Sequence, residues 1–535
     1  MKDKRNVLLR LLAGYLCGLL LATAASIMAA NTASDHFAPE KLAVMERYVR
    51  ERMGWGHIPG ATVVIVSHSQ VYFKGFGYAD ITTKRPVDKD TLFELGSTSK
   101  AFTALGILRL QEDGLLDVRD NVRKYLPWFK MFYIEKSANP TIEYLNRNKT
   151  VQKFIPWLQT RKTAEITIAE LLRHSSGIRT EYIADIMPGT DAKALERTVR
   201  NLVGKDLEDE PGRQHVYSTL NYDVLGLIIQ EVSGLPFETY MKLNVLEPLG
   251  LKHTYILYPE PPDRDHMSAG HKLSFWRTVK FTSPVYRGNA PAGYFITNAE
   301  DLTRWLRIQL GEIPLEGKER AIIEKSHQDP YGYSFGWNVY RVNQRVVRMW
   351  HTGGNNNFAA YIEFRPEEKV GVGVLLNLNS YYHQLFGEGI LNIITGKGRV
   401  PTVVFDLYQY MDIVSILLIA TLLFTLYISS RSTRDQLRNN TKFVGLNRKN
   451  LFKLILWIAT ALVWGFLIYF LPYLLFQYSW QFALIWSPYS FPVAIGLLIV
   501  QSIIGFIYYW NVIFYKCNKP NRRKQFSWRN LFQEM

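Results

Sequence analysis

Ser97 and Lys100 stand three residues apart in Phe93-Glu94-Leu95-Gly96-Ser97-Thr98-Ser99-Lys100-Ala101-Phe102, the only Ser-x-x-Lys of the 535-residue chain. A serine hydroxyl is a poor nucleophile until a neighbouring base accepts its proton. Residues i and i+3 of a helix share one face, so this spacing sets an amine beside the hydroxyl. An amine whose pKa is lowered by burial or by nearby cations can take that proton. The same residues also fit a capped helix start with an exposed lysine, and the spacing alone does not separate the two. Tyr217-Ser218-Thr219 and His351-Thr352-Gly353-Gly354 offer a phenol and an imidazole. Taken singly, they read more readily as a core tyrosine and a turn histidine.

Positioning such groups takes a scaffold, and the flanking patterns supply one. Leu42, Met45, Tyr48, Val49 and Met53 recur at helical spacing from His36 to Met53. The β-branched run Ala61 to Val66, the turn His68-Ser69-Gln70 and the run Val71 to Gly77 read as a hairpin. Ser97 to Gln111 reads as a buried helix ended near Gly114. Ile166 to Gly177 reads as a strand entry and a short helix with glycine at its end. Glu210-Pro211-Gly212 is a turn ahead of Tyr217, and Asp223 to Val232 an apolar helix. Asn298-Ala299-Glu300-Asp301 caps a helix from Leu302 to Leu310. Residues 335–340, 345–350, 359–364 and 370–376 read as successive strands. Strands near both ends with helices between them predict one mixed sheet closed by the two ends of the domain. Residues 130–164, rich in Lys, Asn, Pro and aromatics, read as an insertion.

A formal charge of +16 invites a nucleic-acid reading, but basic residues concentrate beside long apolar runs near the C-terminus, the pattern of a membrane protein's cytoplasmic face. About 413–429, 454–476 and 491–515 are uncharged runs that predict three transmembrane helices within a C-terminal domain, 401–535. The connector 431–453 carries Arg431, Arg434, Arg438, Lys442, Arg448, Lys449 and Lys453, whereas 477–490 carries no charge. That asymmetry places connector and tail in the cytoplasm and an exported domain, 31–400, on the other side. Residues 1–30, basic and then apolar, read as a signal peptide or an uncleaved signal anchor. The two cysteines, Cys17 and Cys517, lie at membrane-associated positions, so no disulfide framework or cysteine metal site is expected in 31–400.

In order, Ser-x-x-Lys, Tyr-x-x and His-Thr-Gly resemble the serine β-lactamase and penicillin-binding-protein superfamily. The likeness is closest to the class C β-lactamase-like branch, which includes D-aminopeptidases and esterases. It extends to Pro59-Gly60-Ala61, Gly75 to Asp80, Leu171 to Gly177, Asn221 to Gly226 and Ala299 to Leu302. The resemblance implies a mixed α/β domain: an antiparallel sheet flanked by helices, a helical subdomain, and the nucleophile at their junction. It implies that Ser97 attacks a carbonyl, that Lys100 and Tyr217 share its proton, and that Tyr217 protonates the leaving nitrogen. The backbone N–H groups of Ser97 and Gly354 would face the oxyanion. Neither metal nor organic cofactor is implied, and the chain has no His-Glu-x-x-His or comparable ligand set.

Two departures touch the part of the site that would hold the acyl group. Thr219 stands where the family usually has asparagine, and Asn355-Asn356-Asn357 replaces a stretch that commonly ends in glycine. A catalytic domain followed by three membrane spans is similar to prodrug-activating peptidases of nonribosomal-peptide pathways, the colibactin-maturing type. These remove an N-acyl-D-asparagine cap, and their tyrosine element also carries a small hydroxyl residue. On that likeness Glu94, Thr219, His351, Thr352, Gly353 and Asn355 to Asn357 are expected to bind a peptide or acylated-peptide substrate. The other readings are a cell-wall D,D-carboxypeptidase or D-aminopeptidase/esterase, and a catalytically silent envelope-binding module. The expected partners are substrate and lipid bilayer, not nucleic acid. Gly465, Gly496, Gly505 and Pro472 would also permit a homodimer or exporter association through the membrane helices.

Overall fold

The computed structural model describes residues 36–135, 161–256, 264–328, 331–398, 400–402, 405–445, 447–476 and 478–517. The expected signal segment, Cys17, most of the 130–164 insertion and most of the basic tail lie outside them. Two compact units emerge. One takes in the chain to Lys272 together with Thr278–Leu407, and the other Leu273–Arg277 with the chain from Tyr408 onward.

The first unit is built on a sheet of β1 (Gly60–Ser67), β2 (Gln70–Asp80), β3 (Arg85–Pro86), β4 (Tyr333–Ser334), β5 (Trp337–Val342), β6 (Arg345–Gly354), β7 (Ala359–Arg365) and β8 (Val370–Leu376). Its strand order is β4-β5-β6-β7-β8-β1-β2-β3. Both ends of the domain close it, as expected. Every pairing within it is antiparallel, however, which corrects the mixed sheet read from the strand runs and agrees with the resemblance.

Strand alternation separates two cores. Ala61, Val63 and Ile65 of β1 and Tyr361 of β7 face Met45 and Val49 of α1 (Pro39–Gly56) and the later helix Tyr382–Thr395. Val64 and Val66, with Ala360, Ile362 and Phe364, face a second core containing α2 (Lys100–Glu112), α3 (Leu220–Ser233) and α4 (Ala299–Gln309). Covered on both faces, β1 is buried throughout, which is why its run is continuously apolar rather than alternating. Each large apolar side chain buried there stabilises the fold by about 1.5–3 kcal/mol. The Asn298 side chain accepts from the Asp301 N–H, and the helix it caps begins at Ala299, three residues earlier than the apolar run.

Two expectations are adjusted at the helix starts. Residues 96–99 form a 3-10 turn, and the α-helix begins only at Lys100. The short helix Ile168–Leu172 starts at a capping box between Thr167 and Glu170 and ends at Arg173, well before Gly177. At the base of the insertion, Phe132–Ile134 pairs with Arg161–Thr163.

In the second unit, α5 (Leu407–Asn439), α6 (Arg448–Phe476) and α7 (Ser490–Phe514) are three helices long and apolar enough to cross a membrane. Among the described residues, a methyl group added at Gly465, Gly496 or Gly505 would meet nothing within 4 Å, so these glycines mediate no close helix contact there.

Candidate active site

Ser97 occupies the 3-10 turn, in which residues i and i+3 eclipse. The Lys100 Nζ lies 2.9 Å from the Ser97 Oγ as a result. Lys100 is wholly buried, yet its charge is provided for. Nζ also donates to the Thr219 Oγ1 at 3.2 Å and the Ala292 carbonyl at 3.0 Å, so each ammonium hydrogen has an acceptor. The rings of Tyr217 and Tyr222 lie 5.2 and 5.8 Å from it, within cation–π range. Thr219, expected at the substrate, is thus a partner of the lysine.

Tyr217 sits on the loop before α3, held by His174 of the Leu171 to Gly177 stretch, a residue to which no motif assigns a role. The His174 backbone is left-handed, at φ 56°. Its carbonyl accepts the Val216 N–H at 2.7 Å. Its Nδ1 accepts from the Ser218 N–H at 3.3 Å and meets the Asn221 amide at 2.8 Å. The proton therefore belongs on Nε2. Burial, then the Lys100 charge, holds this imidazole well below its usual range, so it is neutral. Its ring lies 4.3 Å from that of Tyr217.

Close backbone approach defines the third wall. Gly96 has φ +53°, and a Cβ there would come within 2.4 Å of the Gly354 nitrogen; a Cβ on Gly353 would come within 2.0 Å of the Leu95 carbonyl oxygen. Only glycine lets the nucleophile's turn meet the end of β6 this closely. His351, on β6, turns away from solvent: Nδ1 faces the Thr352 carbonyl at 2.6 Å, so it donates, and Nε2 accepts from the Tyr333 hydroxyl at 3.0 Å. Burial, then Lys100, pulls its pKa down to about 3. The imidazole is a neutral structural link rather than a cation.

Glu94 and Asn355 meet on the other side of the turn. Both are buried, and the Asn355 Nδ2 donates to the Glu94 Oε2 at 2.5 Å and to the Gly293 carbonyl at 2.9 Å. Burial pushes the Glu94 carboxyl up to about 7, with the Asn355 bond acting against it. Both amide atoms of Asn356 and the Oδ1 of Asn357 are buried without a hydrogen-bond partner. Asp223, also unanticipated, is buried one turn into α3. With its amide turned to satisfy both groups, Asn289 donates to the two Asp223 oxygens at 2.9 and 3.1 Å. Among the described residues no three His, Cys, Asp or Glu side chains gather as a metal site.

The Glu94 shift has a measurable consequence. Folded Glu94 keeps its proton up to about pH 7, whereas the unfolded chain releases it near pH 4.5, so stability falls as pH rises through that window. Glu94→Gln removes the penalty: it is expected to gain about 2–3 kcal/mol at pH 8 relative to its effect at pH 4, read from denaturant midpoints. Equal shifts at both pH values would contradict this.

The family model described as Beta-lactamase matches residues 45–385. Protein flp of Staphylococcus aureus (strain MW2) is 30% identical over 465 residues, 84% of this chain and 86% of that protein. The octameric penicillin-binding protein homologue from Pyrococcus abyssi superposes with a TM-score of 0.53 at 26% identity, over 67% of this chain and 78% of that one. The D-alanine carboxypeptidase AmpC from Burkholderia cenocepacia shares the fold, with a TM-score of 0.50 at 22% identity over 66% and 99% of the two chains.

Proposed function

The chain belongs to the beta-lactamase family, and from that premise we propose that it is a membrane-anchored peptidase that acylates Ser97 and removes an N-acyl-D-asparagine cap from a nonribosomal peptide. It is a serine hydrolase of the β-lactamase-like superfamily. The reading of its substrate rests on one feature: the buried Glu94–Asn355 pair three residues before the nucleophile, with the partnerless Asn356 amide beside it. A primary amide both donates and accepts, and such a polar set matches it.

In this reading the reactive form arises when the Lys100 ammonium gives up the one proton directed at Ser97; its other two hydrogens stay on Thr219 and Ala292, and the freed lone pair accepts the Ser97 proton. The Ser97 Oγ attacks the amide carbonyl, and the oxyanion is met by the Ser97 and Gly354 N–H groups. Tyr217 passes the proton to the departing nitrogen, the C–N bond breaks, and an acyl-enzyme remains. Water, deprotonated along the same path, releases the N-acyl-D-asparagine. The basic connector supports a catalytic unit on the outer side of the cytoplasmic membrane.

The full chain in detergent is expected to cleave N-acyl-D-Asn amides about 100-fold faster in kcat/KM than their L-Asn counterparts or D-Ala-D-Ala peptides. A second reading, cell-wall D,D-carboxypeptidase, draws on the shared fold with the D-alanine carboxypeptidase. Cleavage of D-Ala-D-Ala peptides or simple esters with N-acyl-D-Asn amides left intact would refute the first and, for the peptides, favour the second.

A further inference from the structure

The strands His271–Ser274 and Arg277–Lys280 pair as a separate hairpin, and its tip, Leu273–Arg277, groups with the chain from Tyr408 onward rather than with the catalytic unit. The two turn residues, Phe275 and Trp276, have left-handed backbones, at φ 50° and 59°. That conformation suits a tight two-residue turn but ordinarily goes to asparagine or glycine. Phe275 and Trp276 are nevertheless 43% and 44% exposed. A turn that met only water would gain nothing from two large aromatic rings on such a backbone.

Asp412 fixes where the tip lies. It is wholly buried in the second turn of α5. Its Oδ1 accepts the Phe275 N–H at 3.2 Å and the Ser490 hydroxyl at 2.5 Å, and its Oδ2 accepts the Trp276 N–H at 2.5 Å. The Tyr489 N–H, just ahead of α7, donates to the Leu273 carbonyl at 3.1 Å. One carboxylate thus ties the turn to the ends at which α5 and α7 both begin. Tyr410 and Tyr489, both exposed, lie at those same ends, and Arg277 is exposed beside the tip. Aromatic rings and a cation at the level where apolar spans begin match the headgroup boundary of a bilayer, where ring bodies meet acyl chains and polar edges meet water.

We propose that the Phe275–Trp276 tip is an interfacial membrane anchor, which inserts both rings into the headgroup boundary of the leaflet at which α5 and α7 begin. The occupant is lipid because the tip is held at the mouth of this chain's own spans, where lipid surrounds even a single copy. The proposal goes beyond the peptidase reading and does not depend on it.

The test uses the full chain with Cys17→Ser and Cys517→Ser, labelled with an NBD fluorophore at Phe275→Cys or Trp276→Cys and reconstituted singly in phosphatidylcholine nanodiscs. A lipid carrying a nitroxide near its headgroup is expected to lower emission at both positions about twofold, and more than a lipid carrying it at the chain end. Tyr410→Cys, in the first turn of α5, supplies the reference for interfacial depth. Should Trp276→Cys fail to assemble, Phe275→Cys carries the test alone. Emission untouched by either lipid but quenched by aqueous iodide would put the tip in water and overturn the proposal, as would stronger quenching from the chain end. Protection from iodide that appears only in discs holding two chains would give the tip to a second copy, and would overturn it equally.

Discussion

Ser97→Ala is expected to remain folded while losing on the order of 10⁴-fold or more in kcat/KM, together with all labelling by a fluorescent phosphonate. Among the described contacts, the Ser97 hydroxyl bonds only Lys100, so its removal costs about 1 kcal/mol of stability. The chemical loss is far larger because no neighbouring oxygen can replace the nucleophile. Thr219 Oγ1 is the other hydroxyl on Lys100, at 3.2 Å, but it is itself buried and starts a helix. Labelling of wild type and not of Ser97→Ala would exclude a catalytically silent binding module. Persistent turnover by the alanine variant would refute the assignment of the nucleophile.

Lys100→Met carries the second large effect, a fall of about 10³–10⁴-fold in kcat with the fold retained. Methionine fills nearly the same volume but neither accepts the serine proton nor donates a hydrogen bond. Thr219 and the Ala292 carbonyl lose their donor, costing about 1–3 kcal/mol for the buried carbonyl, while the expense of holding a charge in a wholly buried position disappears. Asp223 loses the nearby cation that opposes its burial, so its carboxyl moves further above the ordinary range and stays protonated. Because Ser97 and Lys100 act as a unit, the double variant should lie within about tenfold of Ser97→Ala alone. A Lys100→Met enzyme keeping more than a tenth of wild-type kcat would rule out the lysine as base.

The nucleophile and its neighbours are legible in the sequence because each stands in a short motif beside a turn or glycine: Ser97 after Gly96, Tyr217 after Pro211-Gly212, His351 before Gly353-Gly354. Local spacing carries that information. The supports are not local. His174 reaches Ser218 and Asn221, more than 40 residues away, and Asn289 reaches Asp223, more than 60 residues away. No periodicity announces such contacts, since they depend on how elements pack. The sheet is legible as a set of strands but not as purely antiparallel, because the run of apolar residues in β1 reflects burial on both faces, which either sheet type can produce. The 3-10 turn at Ser97 is hidden for a related reason: residues 97–111 share one apolar pattern, and nothing in it marks the close approach of Gly96 to Gly354 at the tighter first turn.

That sheet order also sets a timetable. β1 pairs with β8 from Ala61↔Leu376 to Ser67↔Val370, so the first strand made has to wait for one of the last. At about 5–20 residues per second of synthesis, the intervening roughly 300 residues take about 15–60 seconds to appear. Through that interval the hairpin of β1 and β2 has an unpaired edge, and the turn bearing Ser97 lacks the Gly353-Gly354 backbone it abuts. The nucleophile is therefore synthesised early but armed late. A chain interrupted before β6 carries Ser97 and Lys100 without a site in which they can react, so truncated products should be inert toward substrate and dependent on chaperones for their solubility.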